Sequence, residues 1–195
     1  MSELLYPVLI APILRGASGK PREEMLPVVE ENGIVKAQMS RSFAHGGAKQ
    51  LHPVVHLHVI DRFGRIFLQK RSETRKLLPG YWDTAVGGHV TYGESIMEAL
   101  YREAREEIGL SDFNPVEMGT YVWESDTERE WVNAYAAVGN FSLDPVNDEV
   151  DEGRYWTEEE IAAAALIALA ILGRVAPEFV DRFLYTPEEL EILYP

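Results

Sequence analysis

The stretch that most constrains this 195-residue chain runs from Gly87 to Gly109, GGHVTYGESIMEALYREAREEIG, a glycine-rich loop leading into a helical pattern. Ser95 to Ile108 reads as a helix, with Gly109 as the left-handed residue that ends it. At 3.6 residues per turn, Glu103, Glu106 and Glu107 sit at i, i+3 and i+4 and converge within about a 100° arc. Met97, Leu100, Ala104 and Ile108 form a neighbouring stripe suited to burial. Like charges so spaced cost roughly 0.2–0.5 kcal/mol per exposed pair. Two readings are open: a solvated face neutralised by Arg102 and Arg105, or carboxylates gathered for a hard divalent cation. The glycine-rich loop lets backbone approach a ligand and can present a carbonyl, such as that of Gly87, to a metal.

Charge narrows the partners. Lys plus Arg number 18 against 32 Asp plus Glu, a formal net charge of −14. Duplex nucleic acid, which needs cationic side chains to displace counterions, is a poor partner, and a free anionic substrate would be repelled without a cation. No cysteine is present, which excludes disulfides, thiolate metal sites and a cysteine nucleophile. The N-terminus carries Glu3, Pro7 and Pro12 where a signal peptide would have a basic region and an unbroken apolar one. The apolar run from Ile161 to Gly173 is too short to span a bilayer. The expectation is a soluble cytoplasmic protein with no membrane contact.

Residues 1–24 read as an irregular lead-in, with a loop signal at Gly16, Ser18, Gly19 and Pro21, ahead of a single domain over 25–195. MLPVV and IVKAQM flank Asn32-Gly33, while Val54 to Ile60 and Ile66 to Gln69 flank Asp61 to Gly64, so two hairpins are predicted. Thr84 to Val90, Met118 to Trp123 and Trp131 to Val138 are further strand candidates. Thr157 to Glu160 is a capping box opening an alanine-rich helix, and Thr186-Pro187-Glu188-Glu189 opens another. Hairpins combined with a central and a late helix predict an α/β sheet packed between helices. The alanine-rich helix, apolar on nearly every side, suits either the interior or the interface of a homodimer.

The segment GHVTYGESIMEALYREAREEIGL resembles the Nudix box, G-x5-E-x7-R-E-U-x-E-E-x-G-U with U aliphatic. Every fixed position matches: Gly88, Glu94, Arg102, Glu103, Glu106, Glu107 and Gly109. At roughly one in fifteen per position, a chance match is on the order of one in 10⁸ per window. Ala104 stands where a larger aliphatic residue is usual. The resemblance implies an α/β/α sandwich with a mixed sheet, dependence on Mg²⁺ or Mn²⁺, and hydrolysis of a nucleoside diphosphate linked to another moiety. It implies that Glu103 and Glu107 are metal ligands, that Glu106 is one directly or through water, that Arg102 orients, and that Glu94 braces the loop. A diphosphate among carboxylates needs bridging cations, which agrees with that chemistry. Candidates for a base outside the box are Glu149, Glu152, Glu128 and Glu130, each of which also reads as a solvated loop acid. Lys70, Arg71 and Lys76 can meet substrate phosphate, while Tyr81, Trp82, Tyr155 and Trp156 can stack on a base or pack in the core.

LHPVVHLHVID, LQKRSETRKLLPGYWDTAVGGH and DEVDEGRYWTEEEI resemble the Nudix branch that includes type I isopentenyl diphosphate isomerases. That isomerase builds a separate metal site from three His and two Glu, and the matching positions here are His45, His52, His89, Glu128 and Glu130. Neutral imidazoles with carboxylates suit a transition metal or Mg²⁺. His56 and His58 match nothing in that set. The isomerase also needs a cysteine two residues before the third His, where this chain has Gly87. The leading expectation is therefore a metal-dependent hydrolase acting on a small-molecule diphosphate. The alternatives are an isomerase-like protein and a catalytically silent nucleotide-binding Nudix module.

Overall fold

The computed structural model describes residues 23–74, 79–145 and 150–161. Residues 1–22 of the expected lead-in, Lys76, Glu149, nearly all of the alanine-rich helix and the C-terminal helix lie outside them. Strands β1 (Met25–Val29) and β2 (Val35–Ser40) make a two-stranded antiparallel sheet. Its turn follows from Asn32-Gly33: Ile34 N–H donates to the Asn32 side chain at 3.0 Å, and Gly33 takes φ 81°, open to a residue without Cβ. Leu26 and Met39 face each other across the pair and pack with Ala44 in a small core.

The second sheet holds β3 (Leu51–Ile60), β4 (Ile66–Arg71), β5 (Trp82–Thr84), β6 (Val86–His89), β7 (Val116–Glu124), β8 (Arg129–Val138) and β9 (Val150–Trp156). Its order is β5-β4-β3-β8-β7, with β6 also on β3 and β9 on β4. As an interior strand, β3 is buried along most of its length. Residues 84–90, expected as one strand, fall in β5 and β6 with a break at Ala85. Strand β9 was not expected; VDEGRYW is too polar to read as a strand, and it is held by antiparallel pairing with β4 from Ile66↔Trp156 to Lys70↔Glu152. The α/β fold class is as expected.

The described residues form two compact units, one from 23–55, 88–100 and 119–133, the other from 56–74, 79–87, 101–118, 134–145 and 150–161. In the first, Ser40 caps the short helix α1 (Arg41–Phe43), which runs into a π-helical turn, Ala44–Ala48, kinked at Gly47. In the second, Asp61 organises the β3–β4 turn. Its buried carboxylate accepts from the Phe63 and Arg65 N–H groups, both at 2.9 Å, and from Arg65 Nε at 2.7 Å.

Helix α2 (Ile96–Ile108) starts at a capping box: Ser95 N–H donates to Glu98 at 2.8 Å, and Glu98 N–H donates back to Ser95 Oγ at 3.2 Å. Gly109, at φ 67°, ends it, and the Leu110 N–H turns back to the Ala104 carbonyl. The buried stripe is Ile96, Ala99, Leu100, Ala104, Glu107 and Ile108. Met97, expected in the stripe, is 37% exposed, because the buried arc is centred one residue earlier at the helix start. That same placement takes Glu107 off the solvated face and into the interior.

Candidate active site

The carboxylates of α2 meet very different surroundings. Glu106 is exposed, whereas Glu107 is 8% exposed. Arg102 pairs with both neighbouring acids, at 2.7 Å to Glu103 Oε1 and 3.3 Å to Glu106 Oε2. Burial pushes the Glu107 carboxyl up to about 8, and the charges of Glu103 and Asp83 push in the same direction. Hydrogen bonds from the Gln69 side chain and the Gly87 backbone oppose that shift. In this way β4, β5 and β6 each present a group to the helix carboxylates. A carboxyl held up to about 8 by burial and by like charges needs a cation to ionise fully at neutral pH, the electrostatic condition for a divalent metal site.

Of the candidates for substrate phosphate, Lys70 and Arg71 lie next to each other at the end of β4. Arg71 is engaged with Asp83 at 3.2 Å. Lys70 stands between Trp82 and Glu152 in the strand register. Trp82 packs edge-on against Trp156 with ring centroids 4.9 Å apart, and Arg154 lies 3.6 Å over the Trp156 ring. Glu94 accepts from the Thr91 N–H at 3.0 Å, which closes the loop before α2.

Gly87 is exposed, and a Cβ there would stand 3.8 Å from Cδ2 and Nε2 of His56 and 3.7 Å from the Thr84 methyl. Burial pushes the His56 imidazole down, with Asp83 opposing, so that ring is neutral at pH 7. His58, bonded to Thr84 Oγ1 at 3.1 Å, is pushed down to about 3 by burial and by His56.

A second group of ligand-type residues forms in the first unit. His52, His89, Glu128 and Glu130 each offer one ligand atom, and these atoms all lie within 4.8 Å of one another. Glu130 lies on β8 and Glu128 just before it, two residues apart, after a turn in which Ser125 Oγ accepts from the Glu128 N–H at 3.0 Å. The His52 and His89 rings stack with centroids 5.4 Å apart. His52 donates from Nδ1 to the Gln50 carbonyl at 2.9 Å, which leaves Nε2 with its lone pair, buried and without a hydrogen bond. Burial also holds the ring neutral. A neutral imidazole oriented through Nδ1 by a carbonyl is the form in which histidine binds metal. The donor set fits a cation.

His45 is not among those four. Its Nδ1 lies 2.7 Å from Glu128 Oε1 and its Nε2 accepts from Arg41 Nε at 3.3 Å, so both ring nitrogens are engaged. Arg41 in turn pairs with Glu24 at 2.8 Å. Sequence reasoning missed Gln69, Asp83 and Arg41, because nothing in their local spacing marks them; their roles come from which elements meet.

The NUDIX domain pattern matches residues 50–183. The chain is 34% identical over 140 residues to the uncharacterized Nudix hydrolase YfcD of Escherichia coli K12, covering 72% of this chain and 77% of that protein. It is 29% identical over 152 residues to an isopentenyl-diphosphate Delta-isomerase of Streptomyces griseus, covering 75% and 77%. The crystal structure of DR0079 from Deinococcus radiodurans aligns with TM-score 0.67 at 24% identity, over 83% of this chain and all of that one. The domain match over residues 50–183 and the 34% identity to a Nudix hydrolase agree with the box: the chain belongs to the Nudix family and is a hydrolase.

Proposed function

We propose that the protein cleaves a diphosphate linkage in a nucleoside diphosphate derivative or a related small molecule, with Mg²⁺ or Mn²⁺ held by Glu103, Glu106 and Glu107 and the Gly87 carbonyl. The observation that carries this reading is Glu107, a buried carboxyl crowded by Glu103 and Asp83 in a protein of net charge −14. A cation bound there supplies neutralisation of diphosphate charge and acidification of water. The chain's own residues do the rest. Arg102 holds Glu103 and Glu106 in place, Gln69 and the Gly87 N–H hold Glu107, and Glu94 fixes the loop that leads into the helix. Lys70, Arg71 and Lys76 are the side chains we assign to substrate phosphate, and Trp82, opposite Lys70 in the strand register, is assigned to the attached group.

The group His52, His89, Glu128 and Glu130 supports a second cation site, with His45 bracing Glu128. That group favours an isomerase-like reading, but Gly87 carries no acid or base. The test is a panel of nucleoside diphosphate derivatives, dinucleoside polyphosphates and prenyl diphosphates with Mg²⁺ and with Mn²⁺. Metal-dependent phosphate or monophosphate release from at least one compound is expected. Melting-temperature shifts with a nucleotide but no turnover anywhere would instead mark a silent binding module.

A further inference from the structure

Gln69 sits inside β4, opposite Asp83 on β5 and Gly153 on β9, and is 4% exposed. Burying a primary amide is costly unless each polar atom finds a partner. The amide nitrogen has one: Nε2 donates to Glu107 Oε2 at 2.6 Å. The carbonyl has none; Gln69 Oε1 is buried without a hydrogen bond. Leucine or methionine would fill a similar volume with no orphaned acceptor. The bond to Glu107 accounts for the amide nitrogen but leaves the buried carbonyl without a protein partner, a place that a ligand carrying a proton donor would fill.

Glu107 is consequently gripped by two donors, the Gln69 amide and the Gly87 N–H, which orient its carboxylate. We propose that Gln69 is a positioning residue for cation binding at α2. Its N–H fixes one oxygen of Glu107, and its buried carbonyl is the acceptor for a water molecule that enters with the divalent cation. The inference rests on the metal-dependent reading of α2 and adds to it a residue outside the box. Groups that orient metal ligands in this way typically govern metal affinity by about 10- to 100-fold.

The test uses Mn²⁺ alone as probe, titrated into wild type, Glu107→Gln, Gln69→Leu and Gln69→Met and followed by the electron paramagnetic resonance signal of free Mn²⁺. Metal-free melting temperatures are measured alongside. The binding abolished by Glu107→Gln defines the helix site. Gln69→Leu and Gln69→Met should weaken that class of sites about tenfold or more and shrink the metal-induced rise in melting temperature. Gln69→Met keeps the side-chain length and guards against loss of fold in the leucine variant. Wild-type Mn²⁺ affinity in a folded Gln69 variant, with only a lower metal-free melting temperature, would reduce Gln69 to a structural residue and overturn the proposal. If Glu107→Gln leaves all Mn²⁺ binding intact, the metal reading of α2 itself fails.

Discussion

The imidazole of His45 donates to the carboxylate of Glu128 across 2.7 Å, so its influence on any cation passes through Glu128. His52, with a bare Nε2, differs from it in kind. His52→Ala should abolish metal binding in the first unit, while His45→Asn should weaken it about 10- to 100-fold. Calorimetric Mn²⁺ or Zn²⁺ titration of the two variants checks the order; equal losses would make His45 a direct ligand.

Glu103→Gln and Glu107→Gln remove one charge each with little change of size. Turnover on the best substrate of the panel should fall by about 10²–10³-fold or more, the scale of losing one preorganised electrostatic group. Circular dichroism should show the fold retained. Full activity in both variants would mean the acidic face is merely solvated.

Glu107, held up to about 8 in the fold, lies above its unfolded value of 4.5. Its contribution to metal-free stability is complete below pH 4.5 and is lost as pH rises through about 8. Metal needs the ionised form, so Mg²⁺ affinity should rise over the same interval, with proton release on binding. Melting temperatures from pH 5 to 9, with and without Mg²⁺, should diverge upward, and Glu107→Gln should flatten both effects.

His58 behaves in the opposite sense. Its folded value of about 3 lies below the unfolded 6.5, so its contribution is present above pH 6.5 and disappears as pH falls towards 3. His58→Gln should remove part of the acid limb of the stability curve, measured by denaturant unfolding at pH 4 and pH 7. An unchanged pH 7 to pH 4 difference in the variant contradicts this assignment.

Isopentenyl diphosphate should not be converted to dimethylallyl diphosphate, because residue 87 bears no side chain. Proton exchange from deuterated water into the allylic carbon is the sensitive assay. If exchange occurs, His56, beside the space over Gly87, is the first group to replace.

Helix α2 and the hairpins around Gly33 and Gly64 are legible in the sequence because their determinants are local: a capping box, a terminal glycine, Asx turns and alternating apolar residues. Strand β9 is not, since VDEGRYW becomes a strand only by pairing with β4, far away in sequence. The spacing of Glu103, Glu106 and Glu107 is visible at once, yet the burial that separates Glu107 from exposed Glu106 is not. All five His/Glu positions come together, His45 lying 2.7 Å from Glu128 with its ring 5.1 Å from that of His89, and what engages the remaining nitrogen of His45 is Arg41, whose contact with it no motif contains.

The turn held by Asp61 acts as a ruler for the carboxylate it never touches. In a strand, a slip of one residue turns every side chain to the opposite face. Were β4 to slide by one position, Leu68 or Lys70 would take the place of Gln69, and Glu107 would meet a methyl group or an ammonium where it now meets an amide. The bonds from Phe63 N–H, Arg65 N–H and the Arg65 guanidinium to a single buried carboxylate set the count of residues between β3 and β4. Asp61→Ala is thus a lesion of alignment: its damage would be read at α2, as a loss of metal affinity out of proportion to any change in the hairpin itself.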